Sequence, residues 1–367
     1  RTSYISYNGG QMVGSASYDT YGNQSWMSFE KNTSPEPTRI TGNAVTRSPA
    51  GRQTNAWVDT GSFDLVDPNP AGDNFIYDGA GRLTTAHLPG GVATYSYNPN
   101  PPADNCTTHA TGINPQAGRN TNRTATTFTP TTGTATTTRS CYNTADQVVA
   151  TIVGSTPTTT YTYDTRGNQT LDGNDTYTWD SANRLRTIAT TGTTITYTRD
   201  ALDRLTQRTQ NSTTTRHTYN GYSDSPAGVL NASNTLIEQF HTLPGGVLVT
   251  INQTGLTKTW SYPDLKGNYS VTTDNTGTPT TTTRIQYGPW GERLASSTSN
   301  IDNATGNLDA GAFGQHGKLE GDTTQRTIIM MGPTAPETAD SSPSTQSKAD
   351  VQMTTFMLPA THSTGLT

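Results

Sequence analysis

Apolar side chains in this chain come in short alternating runs and not in long blocks. Tyr95 and Tyr97 flank one serine, and Tyr161 and Tyr163 flank one threonine. Alternation at period two sends both rings to one face of a strand. The runs are separated by turn-forming stretches such as Pro89 to Gly91 and Thr190 to Gly192. Glycine and asparagine suit such turns because they tolerate positive φ. The pattern predicts β-hairpins repeating about every 20 residues. A lone hairpin is marginal in water, so the units are expected to stack into one long, twisting sheet.

The repeat has a recognisable core: Tyr-x-Tyr-Asp, two residues, Gly or a substitute, Arg or Asn, then Leu or Gln. Its clearest copy, IYDGAGRLTTAHLPGGVATYSYN, supplies Tyr77, Asp78, Gly81, Arg82 and Leu83. The next places Tyr161, Tyr163, Asp164 and Gly167, with Asn168 after it. Two tandem copies follow, anchored by Tyr177, Asp180, Arg184 and Leu185, then by Tyr197, Asp200, Arg204 and Leu205. Degenerate copies lie at Tyr18, Asp19 and Gly22, at Tyr142 and Asp146, and at Tyr287, Gly291, Arg293 and Leu294. Asp begins the turn, where its carboxylate can accept backbone N–H groups. Gly three residues on takes a conformation that other residues resist. Asp and Arg recur with every unit, whereas a catalytic group occurs once, so they are read as turn and ladder residues.

Composition narrows the class. Of 367 residues only 30% are hydrophobic and 14% are charged, with a net charge of −5. One thick core is therefore not expected, and charge-driven disorder is not expected either. A sheet with one wet face needs fewer apolar residues. The pI of about 5.6 and the absence of a Lys/Arg run argue against a nucleic-acid partner. No window approaches 18 apolar residues, so no membrane span is expected. Cys106 and Cys141 have no metal-ligand spacing around them. They are read as a disulfide closing a loop of about 35 residues, worth roughly 4 kcal/mol, with free thiols as the alternative.

These residues resemble the YD-repeat, or Rhs-type, family: bacterial Rhs proteins, C components of insecticidal ABC toxins, wall-associated proteins and teneurins. Asp264, Gly267, Asn268, Tyr287, Pro289, Gly291, Glu292 and Arg293 resemble the stretch near the end of that family's shell. The resemblance implies an all-β fold, tandem hairpins in a spiralling sheet that forms part of a cocoon. It divides the chain into degenerate repeats over 1–70, the repeat sheet over 71–300 with a Thr/Asn-rich insertion at 100–140, and the end of the core over 301–332. The family's Arg-Phe-Leu-x-x-Asp-Pro plug motif is absent from 333–367. Read two bases out of phase with permitted codons, that tail yields RFLSVDP, so a frameshift is the expected cause. The tail and residues 105–140 are expected to be the least ordered stretches.

Chemistry for catalysis is not visible. The six histidines sit in no zincin or nucleophile-elbow context, and no phosphate-binding glycine loop occurs. The expectation is a non-enzymatic shell segment, without cofactor, that encloses or presents a C-terminal toxin. A surface adhesin contacting glycans or proteins is the alternative. Either role implies a secreted or cell-surface location, although no export signal is visible in the sequence. Open sheet edges would invite edge-to-edge self-association.

Overall fold

The computed structural model describes residues 4–7, 12–33, 36–59, 64–97, 106, 111–154, 156–223, 225–274 and 284–289, plus short backbone pairs at 293–294, 319–320 and 329–331. Gly291, Glu292, the Arg293 side chain and the 333–367 tail, all singled out above, lie outside the described residues.

The regular elements are almost all strands. A five-stranded antiparallel sheet opens the chain: β1 (Tyr4–Tyr7), β2 (Met12–Tyr18), β3 (Gln24–Lys31), β4 (Thr38–Arg47) and β5 (Gln53–Trp57). A second sheet of eighteen strands follows. Its members are β6 (Phe75–Tyr77), β7 (Leu83–Leu88), β8 (Gly91–Ser96), β9 (Ala125–Pro130), β10 (Thr136–Tyr142), β11 (Val148–Val153), β12 (Thr156–Tyr163), β13 (Gln169–Asp172), β14 (Asp175–Trp179) and β15 (Leu185–Thr190). It continues through β16 (Thr193–Arg199), β17 (Leu205–Gln210), β18 (Thr213–Tyr219), β19 (Pro226–Leu230), β20 (Leu236–Thr242), β21 (Leu248–Asn252), β22 (Thr257–Pro263) and β23 (Tyr269–Thr273). Each pairs antiparallel with the next. No strand register joins β6 to β23 among the described residues, so the sheet does not close into a barrel.

One sheet face carries the core. Tyr177, Leu185, Ile188, Ile195, Tyr197 and Leu205 form one buried cluster, with Trp179 and Tyr219 packed against it. The other face is rich in threonine, paired across strands at Thr127–Thr137, Thr162–Thr170, Thr178–Thr187 and Thr209–Thr214. Such pairs support a sheet without burying apolar area, which explains how so polar a sequence folds.

The register explains the twist. Trp179 pairs with Leu185 but Thr178 pairs with Thr187, so Arg186 is an extra residue in the returning strand. The same shift follows the Asp19, Asp78, Asp164, Asp200 and Asp264 turns. Recurrent bulges bend the strand and increase right-handed twist.

Residues 111–140 depart from the expected disorder. They form a 3-10 turn at Ala117–Asn120 and the strands β9 and β10, and Cys106 is bonded to Cys141. The reason is that β9 pairs directly with β8, Ser96 opposite Ala125, and with β10, so this stretch belongs to the long sheet.

The opening sheet meets the last strands of the long sheet. Tyr7, Met12, Met27, Phe29 and Ile40 share a buried cluster with Val247, Tyr262 and Val271. The Tyr7 hydroxyl donates to the Pro244 carbonyl, and Tyr262 Oη lies 3.1 Å from Met12 Sδ. Arg284 pairs with Asp59 and donates to the Ile40 carbonyl at 2.9 Å.

Candidate functional site

The repeated polar group of the molecule is the turn. At Asp78, Oδ1 accepts the N–H groups of Ala80 and Arg82 at 3.0 and 2.9 Å, and Oδ2 accepts Arg82 Nε at 2.7 Å. Asp200 repeats this with Leu202, Arg204 and the Arg204 guanidinium, at 2.9, 2.9 and 2.8 Å. Asp180 does so with Ala182 and Arg184. Asp164 and Asp264 use Asn168 and Asn268 as the side-chain partner, both through Nδ2. Gly22, Gly81, Gly167 and Gly267 have φ between 79° and 87°, the left-handed residue of a three-residue hairpin loop. Asn183 and Asp203 hold that position at φ 59° and 67°. In the Tyr142 unit the anchor is Asn143 and not Asp146, because Asn143 Oδ1 accepts Ala145 and Gln147 N–H while Asp146 takes the left-handed position.

Charge follows this geometry. The Arg82 N–H and then its guanidinium hold the Asp78 carboxyl below its ordinary range. The Asn168 amide does so at Asp164, where burial opposes it. At Asp180 and Asp200 partial burial pushes up and is outweighed by N–H and guanidinium donors.

A second set of contacts links one unit to the next, and the sequence reading missed it. At five units the ring just before the anchor donates to a carbonyl at the previous unit's bulge. Tyr97 Oη reaches the Leu83 carbonyl at 3.0 Å, Tyr219 Oη reaches Leu205 at 2.6 Å, and Trp179 Nε1 reaches Gln169 at 2.8 Å. Tyr163 and Tyr77 do the same to Val148 and Gln53. The anchor's arginine then lies over the next unit's ring: Arg82 over Tyr97 and Arg204 over Tyr219, both 4.5 Å from the centroid. Arg199 occupies the ring position before Asp200, and its guanidinium turns back to the Asp203 carbonyl at 3.0 Å. Turns also touch directly, Arg184 to Asp203 at 3.5 Å and Asn168 to Asn183 at 3.0 Å. The disulfide-anchored excursion keeps this relay, since Arg82 donates to the Gly118 carbonyl and Asn120 to Asp146.

His217 stands three residues before Asn220, where other units place Phe75, Tyr161, Tyr177 or Tyr197. Its Nδ1 is buried without a hydrogen-bond partner, and burial, with Arg208 adding to it, pushes its pKa down to about 4. The folded state thus favours neutral His217, so stability is complete above the unfolded value near 6.5 and falls as the pH drops towards 4. The expected loss across that window is about 3 kcal/mol. His217→Tyr should remove this slope in urea titrations at pH 7 and pH 4.5, and an unchanged slope would refute the assignment. The carboxyls of Asp78 and Asp200, held below their ordinary range, lose their contribution only at lower pH.

Architecture and turn chemistry together define a protein built of tandem antiparallel β-hairpins closed by recurring Asp- or Asn-anchored turns. No protein-family model matches the chain. Over 132 residues it is 29% identical to the tRNA3(Ser)-specific nuclease WapA of Bacillus spizizenii, covering 35% of this chain and 6% of that protein. Among solved structures it is similar to a TcdB2-TccC3-TEV crystal structure at TM-score 0.46 and 14% identity, covering 86% of this chain and 16% of that one. A TcdB2-TccC3 crystal structure matches at TM-score 0.41 and 14% identity, over 87% and 19% of the two chains. The chain thus spans a small part of the length of the proteins it matches. No helix of the described residues is long and apolar enough to cross a membrane.

Proposed function

We propose that this chain is a non-enzymatic wall segment of a YD-repeat shell that encloses or presents a toxin carried on the same polypeptide. The observation that carries the reading is the relay: the anchor carboxylates, their arginine or asparagine partners and the preceding rings bond within and between hairpins. These groups build a continuous wall and are spent in doing so. The disulfide between Cys106 and Cys141 supports a secreted or cell-surface location. Limited proteolysis of the natural polypeptide tests the idea. The segment following the repeats should resist cleavage while attached to them and be degraded when produced alone. Equal susceptibility in both settings would overturn the shell reading.

The threonine-rich face favours a second reading, an adhesin that contacts glycans or proteins. A glycan array probed with the full chain separates the two, since saturable binding to a defined sugar supports adhesion.

A further inference from the structure

Five units hold their turn with the side chain that follows the ring position. Oδ1 of Asp78, Asn143, Asp164, Asp180 and Asp200 accepts the backbone N–H groups two and four residues on. Asn220 stands in the same position, directly after Tyr219. Its side chain makes no hydrogen bond among the described residues, and neither does the Gly221 N–H. The cause is loop length. Tyr219 pairs with Pro226, whereas Arg199 pairs with Leu205, so this loop carries one extra residue and the capping geometry is lost.

The loop is also open to water. Asn220 and Gly221 are exposed, and Tyr222 beside them is 90% exposed. Gly221 has φ 62°, with nothing within 4 Å of where a Cβ would stand. Arg204 donates to the Gly221 carbonyl at 2.7 Å, which leaves the Gly221 nitrogen unengaged. Glycine places no Cβ in the way of that nitrogen. Nucleophile and electrophile sit in adjacent residues, so ring closure is intramolecular.

We propose that Asn220 is a self-modifying site, at which the Gly221 amide nitrogen attacks Asn220 Cγ. The nitrogen gives up its proton, the Cγ–Nδ2 bond breaks and ammonia leaves, forming a cyclic imide. Water then opens the ring at either carbonyl, to aspartate or to isoaspartate. The aspartate product completes the Tyr-Asp pair of the repeat and places a negative charge beside Arg204. The isoaspartate product adds a main-chain carbon between β18 and β19. Asn143 and Asn231 are protected by comparison, because two N–H groups hold each Oδ1 and neither residue precedes a glycine. The other Asn-Gly pair of the chain, Asn8 and Gly9, lies outside the described residues.

Peptide mapping by mass spectrometry tests this on the full chain, incubated at mildly alkaline pH in the folded state and in urea. Aspartate and isoaspartate should accumulate at position 220 at least about tenfold faster than at 143 or 231. The folded rate should match the urea rate within about threefold, because the loop imposes no restraint. Gly221→Ala should slow conversion in both states, since its methyl group crowds the attacking nitrogen. An Asn220 that stays intact in the folded chain but converts in urea would overturn the proposal, because the fold would then protect it. Equal conversion at 143 and 231 would do the same. So would an unchanged rate in Gly221→Ala, or aspartate formed without isoaspartate, since either means that water attacks the side chain directly.

Discussion

Replacing Tyr262 with alanine is expected to release the five-stranded sheet from the end of the long one. Tyr262 is 1% exposed, its ring lies 5.2 Å from that of Phe29, and its hydroxyl meets Met12. Both partners belong to the opening sheet, so this side chain carries the apolar contact between residues more than 230 positions apart. Truncating a buried aromatic to alanine costs about 3–5 kcal/mol, through lost transfer energy and the cavity left behind. Hydrogen exchange should show β2, β3 and β4 losing protection before β14 to β17, whose core cluster is separate. Tyr262→Phe keeps the ring and gives up only the hydroxyl, which meets the Met12 sulfur and Thr273, so it should cost about 1 kcal/mol. An alanine variant in which β2–β4 stay protected would show that the sheets are held by other contacts.

The contrast between local and distant contacts also explains what the sequence could and could not disclose. The Asp200 turn was readable because its chemistry is local: the carboxylate serves residues two and four positions on, and Gly or its substitute supplies the left-handed position. The Tyr-x-Tyr alternation was readable because strand period two is intrinsic to the backbone. The ring-to-carbonyl link from Tyr219 to Leu205 joins two units and leaves no mark on either motif alone. Asn143 was overlooked as an anchor because an aspartate sits three residues later, and only the hydrogen bonds distinguish them. The bridge from β5 to the start of β6 uses the side chains of Asn55 and Asn74, ordinary turn formers in isolation. Tyr262 and Phe29 belong to no repeat position in common, so their contact follows from the winding of the whole sheet.

The second large effect concerns Cys106 and Cys141. Their bond closes a separation of 35 residues, for which loss of unfolded-chain entropy predicts roughly 4 kcal/mol of stabilisation. The two cysteines are also buried, 6% and 1% exposed, against Ala150 and Ile152. Crosslinking and packing can be separated because reduction removes only the first. Reduced thiols remain small hydrophobes in the same cluster, whereas the Cys106→Ala, Cys141→Ala double variant loses sulfur contacts as well. Urea midpoints should therefore fall on reduction and fall further in the double variant. The release should be local first. Ala117 packs against Tyr142, Val148 and Tyr161, and Asn120 and Asn122 hold Asp146. Amides of Ala117–Asn120 and β9 should thus lose protection before those of β15 to β17. If reduction leaves both the midpoint and this protection unchanged, the excursion is fixed by its relay contacts and the disulfide is dispensable for the wall.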